Sequence, residues 1–117
     1  MPRSSLLALA LLSITVGASA QAPTSTRDQA AHRAYDLSLA ALRTGTGDAE
    51  RVYAWSLRWA ESEPARVASM RAHLTRMTEL QRLVDAQVSQ GTMTPEAAAA
   101  AAWYVADARW RVEHGGP

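Results

Sequence analysis

The stretch from Asp48 to Gln90 constrains the fold most. It holds forty-three residues of nearly unbroken helical spacing with a single proline, Pro64, and is flanked by the glycine-bearing segments Thr44-Gly45-Thr46-Gly47 and Gly91-Thr92. From Val67 onward the apolar positions Val67, Met70, Leu74, Met77, Val84 and Val88 fall at steps of three and four, with Gln81 the one polar member of the heptad seam. Upstream, Val52, Trp55 and Trp59 keep the same rhythm, but carried forward it lands on Ser62, Arg66 and Ser69, one position short of the later seam. A shift of one residue turns an apolar stripe by about 100°. Pro64 lies inside that shift, and a proline within a helix removes a backbone hydrogen bond and kinks or ends it. The stretch therefore reads as two helical halves, kinked or separated by a brief break, each showing a different face to a different partner.

The residues on either side read as further helices. Thr26 is a plausible cap for a first helix from about Arg27 to Arg43, with Ala31, Ala34, Tyr35, Leu39 and Leu42 at helical spacing. The two glycines of Thr44–Gly47 end it, and Asp48 caps the next helix, with Glu50 in a first turn where negative charge suits the helix dipole. The far break is built alike. Gly45-Thr46-Gly47-Asp48-Ala49-Glu50 aligns without gaps on Gly91-Thr92-Met93-Thr94-Pro95-Glu96, forty-six residues on. This is either a weak internal repeat or two helix starts sharing the commonest capping chemistry. A last helix runs from Pro95 to His114, begins with six consecutive alanines, Ala97 to Ala102, and gathers its bulky groups, including Trp103 and Trp110, at the other end. The expected fold is all-α, a small bundle of three or four helices in antiparallel hairpins, helix one against Asp48–Glu61 and the last helix against Val67–Gln90.

The first twenty residues carry the three parts of a secretory signal: Arg3, an apolar run from Leu6 to Val16, and Ala18-Ser19-Ala20 as a small-residue cleavage site. The run is too short to span a bilayer, and no cysteine follows to take a lipid anchor. The organisation expected is a signal peptide over 1–20, a flexible lead-in over 21–26, a helical domain over 27–114 and a tail over 115–117. Cleavage leaves one small domain, exported to the periplasm or beyond, with no further transmembrane span. All twelve basic residues are arginine, and without Arg3 they balance the eleven acidic ones. That balance gives no support for nucleic-acid binding, which requires a basic face. With no cysteine in the chain, an exported domain of this size must hold together by helix packing or by pairing with another copy.

Chemistry is sparse. With three histidines, no cysteine and no nucleophile, phosphate-loop or zinc motif, neither an enzyme nor a cofactor is expected. One constellation, Met70-x-x-His73-x-x-x-Met77, places two thioethers and an imidazole within two helical turns, a donor set suited to Cu(I). Met70 and Met77 also lie on the heptad seam with His73 at its edge, where two core methionines and a boundary histidine of small energetic consequence give the plainer reading. Tyr53, Trp55, Trp59, Trp103, Tyr104 and Trp110 read chiefly as core aromatics standing in for the absent phenylalanine, or else as a partner-binding patch. Pairs at helical spacing, among them Arg76 with Glu79, Arg82 with Asp85 and Asp107 with Arg111, mark solvated faces.

The run Val88–Glu96, followed by an alanine-rich helix with Tyr104 and Ala108, resembles the repeated turn of TolC-type outer-membrane efflux proteins, in which a glycine break precedes a capped helix of a long antiparallel hairpin. The resemblance spans about residues 30–113. It implies an architecture only, because the chain has no barrel strands and is far shorter than a channel protomer. A second likeness, carried by Thr94-Pro95-Glu96 and the His73/Met77 pair, is to exported helical proteins of the Spy, CpxP and CnrX kind, without the additional histidines of a metal sensor or the paired glutamine motif of the chaperones. The function expected is a non-enzymatic interaction module of the bacterial cell envelope that pairs with itself or with a helical envelope protein through Met77, Leu80, Leu83, Val84, Trp103 and Trp110. The alternative is a metal- or stress-responsive protein using Met70, His73 and Met77.

Overall fold

The computed structural model describes residues 25–115. They form four helices, α1 (Thr26–Arg43), α2 (Ala49–Ser62), α3 (Arg66–Ser89) and α4 (Pro95–Glu113), with no strand among the described residues. The expected signal peptide lies outside them.

The long central stretch is two helices. α2 stops at Ser62 and α3 starts at Arg66. Between them the chain reverses, so that Ser56 of α2 reaches both His73 and Arg76 of α3. Pro64 has no N–H to continue the ladder, and the residue before it, Glu63, is extended with ψ of 144°. At the other end, the two Gly-Thr turns close the hairpins α1–α2 and α3–α4 by the same bonds. Gly45 N–H donates to the Leu42 carbonyl and Thr46 N–H to Ala41; Gly91 N–H donates to Val88 and Thr92 N–H to Gln87. These are the paired bonds of a Schellman cap, which requires a left-handed residue, and Gly45 (φ 82°) and Gly91 (φ 77°) supply it. Asp48 and Thr94 then cap α2 and α4 as expected, with Pro95 at the head of α4. For α1 the cap is Ser25 rather than Thr26, its hydroxyl accepting the Asp28 N–H at 3.1 Å.

The helices pack in chain order, α1 on α2, α2 on α3 and α3 on α4, the two hairpin pairings being those expected from the turns. Tyr35 and Leu42 of α1 meet Arg76 and Gln87 of α3. Tyr53 of α2 meets Tyr104 and Asp107 of α4. α1 therefore runs parallel to α3 and α2 parallel to α4, with both Gly-Thr turns at one end of the bundle. The core is built from Leu42, Val52, Met77, Leu80 and Val84 with the small Ala101 and Ala108, which bring α4 close to its neighbours.

Tryptophan does not fill that core. α2 turns Ala49, Val52, Ser56 and Ala60 inward, leaving Trp55 and Trp59 half-buried at its edges, while Trp103 and Trp110 on α4 are 57% and 52% exposed. The reason is geometric, since α2 faces α1 and α3 together and only small or slender side chains fit the shared seam. Val67, the first residue of the α3 seam, also points outward.

Candidate functional site

Where the two hairpins meet, the interior is polar. Ser56, on the inward stripe of α2, is fully buried, and so is His73 on α3, at 0% exposure. The Ser56 hydroxyl lies 2.7 Å from His73 Nδ1. One turn along α3, Arg76 donates from Nε to the Ser56 hydroxyl at 2.6 Å and from Nη2 to the Ser56 carbonyl at 3.0 Å. The Arg76 guanidinium also sits 4.2 Å over the Trp59 ring, on which His32 of α1 stacks at 3.9 Å. Arg76 was expected to pair with Glu79 on a solvated face; it turns inward instead, and Glu79 takes Arg82 at 2.6 Å.

A second polar tie lies on the α4 side. The Tyr53 hydroxyl donates to Asp107 Oδ2 at 2.9 Å, and Arg111 Nε donates to the same oxygen at 2.9 Å. Asp107 and Arg111 form the ion pair their spacing suggests, yet the pair is largely enclosed, with side chains 16% and 18% exposed, and serves to hold Tyr53 of α2. Burial, reinforced by the Asp107 hydrogen bond, pushes the Tyr53 hydroxyl up to about 12, so it stays a donor at physiological pH.

His73 is thus not a boundary residue. It lies between the Ser56–Arg76 pair and the Tyr53 ring, 5.9 Å away, with Arg111 and Asp107 of α4 close enough to act on its charge. Burial first, then the Arg76 and Arg111 cations, lowers its pKa to about 4, so the ring is neutral at pH 7. Whichever tautomer it adopts, Nε2 is buried without a hydrogen-bond partner among the described residues. The correction follows from the reversal at Pro64: the buried stripe of α3 runs from Met70, Met77 and Val84 round to Ser69, His73 and Leu80, so that His73 lies inside it rather than at its edge.

Met70 and Met77 flank His73 along α3 and are likewise buried. Among the described residues no group of three or more His, Cys, Asp or Glu side chains could hold a metal ion. Of the six interface candidates, Met77, Leu80 and Val84 are covered by the chain itself. Leu83 is half-buried, in a groove of about 430 Å³ between α1 and α3 whose floor includes Leu39 and Leu80. Trp103 and Trp110 stay on the outside of α4. Ser56 and Arg76 were not singled out by sequence reasoning as site residues, although Ser56 lies on the stripe Val52–Ser56–Ala60, where a buried polar group implies a partner.

Chemically, the Ser56 hydroxyl is enclosed and already accepts an arginine N–H, and neither Ser56 nor His73 lines the surface grooves between the helices. The arrangement clasps one hairpin to the other. Among the described residues no helix is long and apolar enough to cross a membrane. Comparison with protein-family models, with curated proteins and with solved structures finds no match.

Proposed function

We propose that the protein is an exported, non-enzymatic helical interaction module of the cell envelope, and that it pairs with a second copy through the outer face of α4. One observation carries this reading. Trp103 and Trp110, two turns apart on one helix, are each more than half exposed, although tryptophan is the side chain with most to gain from cover. Ala99 and Ala106 alternate with them along the same face, 99, 103, 106 and 110 at steps of four, three and four, so a second α4 running antiparallel about a twofold axis would seat each indole over an alanine of its partner. Export is supported by the signal pattern of residues 1–20. The architectural likeness to TolC-type hairpins suits a protein whose business is helix pairing.

Sedimentation velocity tests the reading. The wild-type protein is expected to be a dimer at micromolar concentration and Trp110→Glu a folded monomer; a wild type that stays monomeric at high concentration removes the support. N-terminal sequencing of protein recovered from the cell envelope should begin at Gln21. A soft-metal site of Met70, His73 and Met77 is a second reading, favoured by the buried and unpartnered His73 Nε2. Native mass spectrometry with Cu(I) tests it, one bound copper lost on His73→Ala supporting it and no bound copper ending it.

A further inference from the structure

The outer side of the α1–α2 hairpin carries a groove independent of the α4 face. Two concavities, of about 550 and 440 Å³, meet at Trp55 and together follow α2 from Asp48 to Ser62, a distance of about 21 Å at helical rise. On the α1 side Ala30, Ala34 and Ala41 keep the floor low, and Leu37 projects beside it at 57% exposure. On the α2 side the half-buried Trp55 forms an apolar wall.

The rim is mainly cationic. Arg51 and Arg58 stand on the same edge of α2, two turns apart, one on each side of Trp55, and Arg27 stands on the α1 edge. All three are exposed, and among the described residues none enters an ion pair; Arg58 instead lies over the Trp55 ring with its guanidinium 4.8 Å from the centroid. Two carboxylates line the same groove. Asp48 is engaged in capping α2, accepting the Glu50 N–H at 2.9 Å, and Glu61 lies at the far end. The middle of the groove, around Trp55, therefore offers planar cationic forks beside an apolar wall, the combination that recognises carboxylates next to hydrophobic side chains.

We infer that this groove binds a single amphipathic α-helix of a partner protein, its apolar side chains seated between Leu37 and Trp55 and its flanking Asp or Glu side chains meeting Arg51 and Arg58. A helix fits better than an extended peptide. The walls are α-helices whose backbone groups are already bonded within themselves, so an extended strand would find no edge to pair with, whereas a helix brings its own bonds satisfied. The groove is concave and as long as about four helical turns, which suits a rod rather than a flat anionic bilayer.

Fluorescence anisotropy on the full chain tests this, with a fluorescein-labelled helical peptide of about 18 residues bearing leucines at heptad spacing flanked by glutamates, and a twin in which lysine replaces every glutamate. The acidic peptide is expected to bind about tenfold more tightly than the lysine twin, two arginine–carboxylate contacts accounting for that ratio. The double variant Arg51→Glu/Arg58→Glu, changed only at exposed positions, should keep its circular dichroism and reverse the preference. It should also keep the oligomeric state of the wild type, so failure here is distinguishable from failure of the α4 pairing. Equal binding of the two peptides, a preference unmoved by the double variant, or binding to phosphatidylglycerol vesicles with none to the acidic peptide would each overturn the inference.

Discussion

The hairpins α1–α2 and α3–α4 close alike and are filled differently. Each main-chain bond of the first turn has its counterpart forty-six residues on, down to the threonine hydroxyls: Thr46 Oγ1 donates to Ala41 and Thr92 Oγ1 to Gln87. Along the helices that follow, the correspondence ends. Ser56 answers to Ala102, Tyr53 to Ala99 and Trp59 to Val105. A turn answers only to its own backbone, so the same few residues make it anywhere. A helix face answers to its neighbours, and α2 packs on α1 and α3 and touches α4, whereas α4 packs on α3 and has only that light contact with α2. The enclosed helix carries the polar residues that bind the hairpins together, and the peripheral one carries alanines inside and tryptophans outside.

If the two hairpins form one cooperative unit, a cavity in either should weaken both. Leu42→Ala in α1 and Met77→Ala in α3, each removing a fully buried side chain, should lower the unfolding free energy by about 2–5 kcal/mol. Urea unfolding followed by circular dichroism should still show a single transition; two transitions would mean that the hairpins unfold separately.

Acid should act at the seam between the hairpins rather than within either. The folded protein holds His73 near a pKa of about 4 against 6.5 in the unfolded chain. Between those values the unfolded chain takes a proton that the folded one refuses. The contribution of neutral His73 is therefore fully present above pH 6.5 and lost as the pH falls towards 4, by about 3 kcal/mol in all. Unfolding free energies measured at steps across this window should trace that loss, and His73→Leu should flatten it.

Ser56→Ala separates the clasp from the apolar core. It removes almost no volume but leaves His73 Nδ1 and Arg76 Nε without the oxygen they share, and should cost about 1–3 kcal/mol by chemical denaturation. Ala102→Ser, at the matching and exposed position of α4, should cost far less. Smaller again are the turns. Gly45→Ala and Gly91→Ala, where an added methyl meets nothing and only the positive φ is strained, should each cost about 1 kcal/mol and equally so. Gly47→Ala should break that symmetry, because its methyl would strike the Ala41 and Leu42 backbone, whereas the second turn carries Met93 at the same place. Thermal melts of the three variants decide this.

The legible part of the fold was the local part. Glycines at 45 and 91, caps at 48 and 94 and Pro64 gave the four helices and the two hairpins, because each acts within a few residues of itself. What Pro64 does to the path was not legible, since a kink and a reversal remove the same backbone bond. That one ambiguity hid the seam: only when α2 folds back on α3 does Ser56 meet His73 and Arg76, and only then does Arg76 abandon Glu79. The tryptophans misled for a related reason. Apolar character says that a ring gains from cover, not that its own chain supplies the cover, and Trp103 and Trp110 are left outside by four helices too few to enclose α4.

His73 sits neutral and enclosed in a polar clasp joining the two hairpins. The most direct measurement is a pH titration of its ring nitrogens by long-range ¹H–¹⁵N NMR on protein labelled at histidine, with His73→Leu to assign the signal. The His73 signals are expected to remain those of a neutral ring from pH 8 down to about 5, moving only as the pH nears the folded pKa of about 4. A His73 resonance that titrates near 6.5, as a solvent-exposed imidazole does, would contradict it.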